Sequence, residues 1–277
     1  MTSATTYTKN IISEDPLVYT IDDVLTPEEC DHFIELAKPT LAPSLVSTSN
    51  KGVTSSGRTS TNTWLVHDTD DVTKLVGERI AGIVEMPLEN SEKYQVVHYD
   101  VSQEYRQHYD SWEHNGSEKT LRCMKYGGAR LLTALVYLSD VEAGGGTRMT
   151  KLDHTVSAKK GRLLVFENTH RGTNLRHELT EHAGMPVEAG EKHIFNLWFK
   201  ECKSSRLYSE FNPQYYETAA PVDNISLNVE EEATGDCVVL NEDKELLLFR
   251  GFAAKHDVTK LRIAAQGAGT GDGSGAR

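Results

Sequence analysis

The chain has 277 residues, 38% hydrophobic and 25% charged, with a formal net charge of −12. This is the make-up of a soluble globular enzyme: one substantial domain plus appendages, or two small domains. It excludes a helical membrane span, since no apolar run approaches ~20 residues, and it argues against a general nucleic-acid binder, which needs a basic face.

Residues 1–14 are polar and are expected to form a flexible N-terminus. They lack the basic n-region and apolar core of a signal peptide, so a cytoplasmic location is the expectation. Leu17 to Asp22 reads as extended. Thr26-Pro27-Glu28-Glu29 then opens a helix, with Thr26 as cap, Pro27 at the first helical position and Glu29 completing a capping box. Ser44 to Asn62 is rich in Ser, Thr and Gly, which predicts a mobile loop. It is either a plain connection or a lid, and Arg58 is its candidate for substrate contact. Asp71 to Glu85 carries Val72, Leu75, Val76, Ile80, Ile83 and Val84 at helical spacing, with Pro87 as the stop.

From Tyr94 onward the pattern is almost all strand. Tyr94–Asp110 reads as a β-hairpin turning at Asp100 to Gln103. Further strands are expected at Arg130–Leu138, Thr155–Ser157, Arg162–Glu167, His182–Val187 and Lys192–Phe199, separated by Gly-rich turns. Helices followed by seven or eight strands predict an α+β, mainly β fold: a double-stranded β-helix (jelly-roll, cupin-like) core with flanking N-terminal helices. Residues 15–203 would form this domain. Residues 204–264 are an acidic extension, without Lys or Arg from Leu207 to Asp243, and hold a possible strand pair at Cys237–Leu240 and Glu245–Gly251. Residues 265–277 are low-complexity and expected to be disordered. Cys30, Cys123, Cys202 and Cys237 show no zinc or disulfide spacing, so free thiols are expected.

The chemistry centres on His108-Tyr109-Asp110. On a strand, residues i and i+2 share a face. An imidazole and a carboxylate placed so supply two groups of a 2-His-1-carboxylate triad for Fe(II). The third ligand would be a histidine on a later strand: His154, His170, His177, His182 or His193. His182 opens an apolar strand, and Lys192 follows ten residues later. Beside an iron site that lysine would meet a distal carboxylate such as that of 2-oxoglutarate; without that context it is a solvated hairpin charge.

These residues carry a family resemblance. IDDVLTPEECDHFIELA, SGRTSTNTWL, QVVHYD, EYRQHYD, GGARLLTALVYLSDVEAGGGT, KKGRLLVFEN and HAGMPVEAGEK with NLWF occur in this order. From about Asp15 to Lys200 the chain resembles the prolyl 4-hydroxylase group of Fe(II)/2-oxoglutarate-dependent dioxygenases. The resemblance implies Fe(II), 2-oxoglutarate and O2, with ascorbate as reductant, and hydroxylation of prolyl residues at the 4-position coupled to decarboxylation of 2-oxoglutarate to succinate. It implies His108, Asp110 and His182 as iron ligands and Lys192 as the 2-oxoglutarate anchor, with Tyr99 and Thr133 lining the co-substrate pocket. Tyr105, Arg130 and Trp198 align with peptide-contacting positions. The chain departs from the pattern in a longer Ser111–Ala129 segment and in His193, Met185 and Leu197, where many members have Trp, Cys and Lys. The expected partner is a proline-containing peptide or protein. The alternatives are a related oxygenase acting on a free amino acid or a non-prolyl side chain, and a non-catalytic β-helix binding module. The oligomeric state has no signature in the sequence.

Overall fold

The computed structural model describes residues 7–47, 52–208, 237–241 and 246–249. The first helix, Pro27–Ala37, starts as its sequence dictates. The Thr26 hydroxyl accepts from the Glu29 amide at 3.2 Å and the Glu29 carboxylate accepts from the Thr26 amide at 2.9 Å. The second helix, Asp71–Val84, is capped by Asp70 and ends two residues before Pro87, because Glu85 turns left-handed at φ 58°. Its buried face is Thr73, Val76, Gly77, Ile80 and Ala81. Leu75, expected on that face, is 59% exposed: it falls beside the i, i+3, i+4 stripe that starts at Thr73. Gly77 lets the Tyr94 phenol approach so closely that a Cβ would sit 2.6 Å from its oxygen.

Two antiparallel sheets form the core. The larger has eight strands in the order Asn10–Glu14, Leu17–Ile21, Leu163–Glu167, Arg130–Tyr137, Lys192–Lys200, Tyr94–Tyr99, Thr61–Leu65 and Ala42–Pro43. The smaller runs His154–Val156, Thr147–Met149, His182–Gly184, Tyr105–His108. Alternation along the strands builds one core on each face of the larger sheet. Phe33, Ile80, Val96, Val136 and Phe195 pack on the helical side. Val97, Leu135, Tyr137, Met149 and Phe166 fill the space between the sheets. This is the double-stranded β-helix with its helical flank.

Several expectations change. Tyr94–Tyr99 and Tyr105–His108 are not a hairpin: the first pairs with Thr61–Leu65 and Lys192–Lys200, the second with His182–Gly184. The turn at Asp100 to Gln103, with Ser102 at φ 71°, is a corner that carries the chain between sheets. The His182–Val187 strand divides in the same way, and Val187–Ala189 pairs with Ala143–Gly144. Long strands cannot turn such corners, so each is cut at the switch of sheets. The Ser111–Ala129 segment contains a short helix, Glu118–Met124, capped by Ser117. Asn10–Glu14, expected to be loose, is an edge strand, so the folded unit begins before residue 15. It also passes residue 203, since Tyr208 is fully buried against Met124, Ala129 and Cys202. Ser44–Asn62 holds short strands at Val46–Ser47 and Gly52–Val53. In the acidic extension, Cys237–Asn241 pairs with Leu246–Phe249; residues 265–277 lie outside the described residues. Among the described residues, no helix is long and apolar enough to cross a membrane.

Candidate active site

The space between the sheets opens into a cavity of about 520 Å3. Arg58, Tyr99, Tyr105, His108, Asp110, Arg130, His182, Lys192 and Trp198 all line it. Antiparallel register brings the histidines together, since His182 stands directly opposite His108. His108, Asp110 and His182 each offer a ligand atom, all within 4.8 Å of one another. His108 Nε2 is 3.6 Å from Asp110 Oδ1, and His182 Nε2 is 3.7 Å from Asp110 Oδ2.

Both imidazoles are aimed by the backbone. His108 Nδ1 is 2.8 Å from the Arg106 carbonyl and His182 Nδ1 is 3.0 Å from the Thr180 carbonyl. A carbonyl only accepts, so each Nδ1 donates and each Nε2 keeps its lone pair for the centre. Burial, reinforced by His182, pushes His108 down to about 3, so its ring is neutral at neutral pH. Burial acts to raise Asp110, but the two histidines and Arg130 outweigh it and hold the carboxyl at about 2. A neutral His108, an ionised Asp110 and a His182 whose Nε2 faces the same centre make a donor set that fits Fe(II).

Asp110 is held by two residues assigned other places by sequence. Its Oδ2 accepts from the Trp198 indole N–H at 2.8 Å and from the Thr133 hydroxyl at 2.8 Å. Thr133 is fully buried and is not among the cavity-lining residues. It accepts a hydrogen bond from the Asn168 amide at 2.8 Å and donates one to Asp110. Alternation along Arg130–Tyr137 puts Thr133 on the same face as Leu135 and Tyr137, at the end of that face that meets Asp110.

Arg130 likewise faces inward without being free. It forms two hydrogen bonds to Glu92, at 2.7 and 2.8 Å, and lies 3.6 Å from the centroid of Trp198 and 5.0 Å from that of Trp112. Burial opposes ionisation of Glu92, yet Arg130 holds its carboxyl below the ordinary range. Trp112 and Trp64 were not singled out from the sequence, yet all three tryptophans of the chain line this cavity. Their scarcity was the available signal.

Lys192 differs. It is 1% exposed, stands opposite Tyr99 in the register and lies 4.9 Å from the Tyr99 ring centroid. Among the described residues, no carboxylate lies within salt-bridge distance of it; burial alone lowers its ammonium to about 7. A buried cation without a counter-ion is costly, and this one faces a cavity that a small anion can enter. At the outer wall, Arg58 donates to the Leu45 carbonyl and to Gln95 Oε1, both at 3.0 Å, and lies 4.6 Å from the centroid of Tyr105. Tyr105 in turn stacks on His108 at 3.6 Å. The remaining histidine candidates are elsewhere: His170 and His177 gather with Glu178, His193 with His98, and His154 is exposed on an edge strand.

The fold, the triad and the buried, carboxylate-free Lys192 together fit a metal-dependent oxygenase with an anionic co-substrate. Residues 94–200 match the 2OG-Fe(II) oxygenase superfamily. The chain is 33% identical to prolyl 4-hydroxylase 5 of Arabidopsis thaliana over 210 residues, covering 68% of this chain and 70% of that one. It is also 33% identical to a putative prolyl 4-hydroxylase of Acanthamoeba polyphaga mimivirus over 188 residues, covering 68% and 75%. Among solved structures it is similar to the viral collagen prolyl hydroxylase of Paramecium Bursaria Chlorella virus-1 in complex with 2OG. That match has a TM-score of 0.54 and 29% identity, covering 67% of this chain and 96% of that one. The chain belongs to the prolyl 4-hydroxylase family of Fe(II)/2-oxoglutarate-dependent dioxygenases.

Proposed function

We propose that the chain hydroxylates prolyl residues, at the 4-position, in a peptide or protein that enters the cavity from the Arg58–Tyr105 side. The observation that carries this reading is the cavity's pairing of a 2-His-1-carboxylate cluster with a buried lysine that lacks a counter-ion. His108, Asp110 and His182 would hold Fe(II), which when bound supplies the activation of O2 that hydroxylation of an unreactive C–H bond requires. Lys192 would bind the distal carboxylate of 2-oxoglutarate, with the Tyr99 ring shaping the space beside it. Trp198 and Thr133 keep Asp110 oriented and ionised. Arg130, pinned by Glu92, holds Trp198 in place by stacking. Arg58, Tyr105 and Trp64 supply the flat, partly exposed surface on which a proline ring and its flanking backbone would lie.

The described cysteines, Cys30, Cys123 and Cys202, are free thiols, which supports a reducing, cytoplasmic setting. Ascorbate would serve as the reductant that restores activity after uncoupled turnover. The test incubates the full chain with Fe(II), 2-oxoglutarate and proline-rich peptides, and follows succinate release and the peptide mass. The expected result is one added oxygen per succinate, located on proline and absent from Asp110→Ala. Peptide-stimulated succinate that persists in Asp110→Ala defeats the triad assignment; succinate without oxygen on proline defeats the substrate assignment.

A further inference from the structure

The register that sets Lys192 opposite Tyr99 also sets His193 opposite His98. Neighbours on a strand alternate faces, so these two imidazoles point away from the cavity, and neither lines it. Their rings stack at 4.5 Å with 30° between planes. Glu191, from the turn preceding Lys192, reaches over both: its Oε2 is 3.0 Å from His98 Nε2 and 3.9 Å from His193 Nε2. Asp100 Oδ1, from the corner after Tyr99, is 3.7 Å from His98 Nε2. The imidazoles are largely buried, at 15% and 13% exposure, whereas Glu191 and Asp100 are 63% and 66% exposed. One polar mouth therefore sits over two sheltered nitrogen donors.

A structural reason to gather these groups would be a hydrogen bond, and Glu191 does accept one from His98. It does not account for His193. At 3.9 Å its Nε2 lies outside hydrogen-bond reach of the carboxylate on which it converges. One ligand atom from each of His98, Glu191 and His193 lies within 4.8 Å of the others. Two imidazoles with one or two carboxylates suit zinc-like ions; all-oxygen cages suit calcium and magnesium. A divalent ion would also balance the charges of Glu191 and Asp100.

We propose that His98, His193 and Glu191, with Asp100 in reach, form a second metal site for a divalent late transition metal, with Zn2+ the type ion, distinct from the iron triad. Its location gives it a structural task. It would tie the Tyr94–Tyr99 strand, the corner after it and the turn before Lys192 into one unit. Those are the segments whose register places Tyr99 and Lys192 on the inner face.

The test uses the full chain carrying Asp110→Ala, which disables the iron triad, stripped with chelator and dialysed against Zn2+. We expect this chain to retain a tightly held zinc that raises its thermal midpoint. Adding His98→Gln and His193→Gln should weaken zinc binding by at least about 100-fold, since even outer-shell changes cost a metal site 10–100-fold. Should the doubly substituted chain fail to fold, Glu191→Ala, at an exposed turn, should weaken zinc about 10-fold or more. Equal zinc content and equal thermal shift with and without these substitutions overturn the proposal. Because the iron site is disabled throughout, the outcome is independent of prolyl hydroxylation.

Discussion

Two cations face the same cavity, Arg130 partly buried and Lys192 fully buried, and they are treated in opposite ways. Arg130 is paired through two hydrogen bonds with Glu92 and covered by indole rings. Lys192, on the strand paired with that of Arg130, has rings near it but, among the described residues, no carboxylate within salt-bridge distance. A compensated guanidinium is part of the scaffold: its charge is already satisfied, and its plane supports Trp198 and through it Asp110. An uncompensated ammonium carries a desolvation cost that is relieved by losing its proton or by a bound anion. The difference separates a cation already paired within the protein from one proposed to meet the co-substrate.

Lys192→Met should divide the two most sharply. Losing the buried charge partner of a bound carboxylate costs roughly 2–5 kcal/mol, so the KM for 2-oxoglutarate should rise by about 30-fold or more. The ligand-free chain should meanwhile melt higher, because an unpaired buried charge has gone. A lower melting point for Lys192→Met would mean that its charge is compensated within the protein after all. Arg130→Met should do the reverse: it leaves Glu92 with only the longer Lys200 contact at 3.7 Å, which points to a loss of up to about 3 kcal/mol of stability in denaturant titrations. A stable Arg130→Met chain that has lost only peptide affinity would return Arg130 to the peptide.

Trp198→Phe keeps an aromatic ring beneath Arg130 but deletes the hydrogen bond to Asp110. Iron affinity should fall by about 10–100-fold, as for other outer-shell partners, while the KM for peptide moves less; equal iron affinity would leave the indole N–H without this role. pH supplies a gentler probe. With the Lys192 ammonium lowered to about 7 from its ordinary 10.5, the proton that attracts 2-oxoglutarate is present below pH 7 and is lost above it. Apparent 2-oxoglutarate affinity should therefore weaken as pH rises above about 7, by up to about tenfold per unit, in calorimetric titrations. Stability runs the other way. The unfolded chain holds this proton up to about pH 10.5 and the folded chain does not, so the cost that Lys192 imposes on folding shrinks from about pH 7 to 10.5. A flat affinity profile would place an unseen acid beside the lysine. Arg58→Ala should have the smallest effect, a few-fold rise in peptide KM, since its guanidinium already serves Leu45 and Gln95.

The amino-acid sequence by itself determined what local chemistry can determine. The Thr26 capping box, the Asp71 helix and most strands follow from caps and periodicity that act within a few residues. His108 and Asp110 were legible because two residues suffice to set a shared direction. His182 and Lys192 were legible through their resemblance to a known pattern, since nothing local ties them to a strand some seventy residues earlier. Tertiary structure alone decided which sheet each strand joins. A corner such as Asp100 to Gln103 reads like a hairpin turn until pairing partners from distant segments compete for the edge. It alone gave Thr133 to Asp110, Arg130 to Glu92 and His98 to His193, because those assignments depend on register between strands far apart in the chain. Burial also emerges only in the assembled fold, and burial without a partner is what separates Lys192 from every solvated lysine in the same sequence.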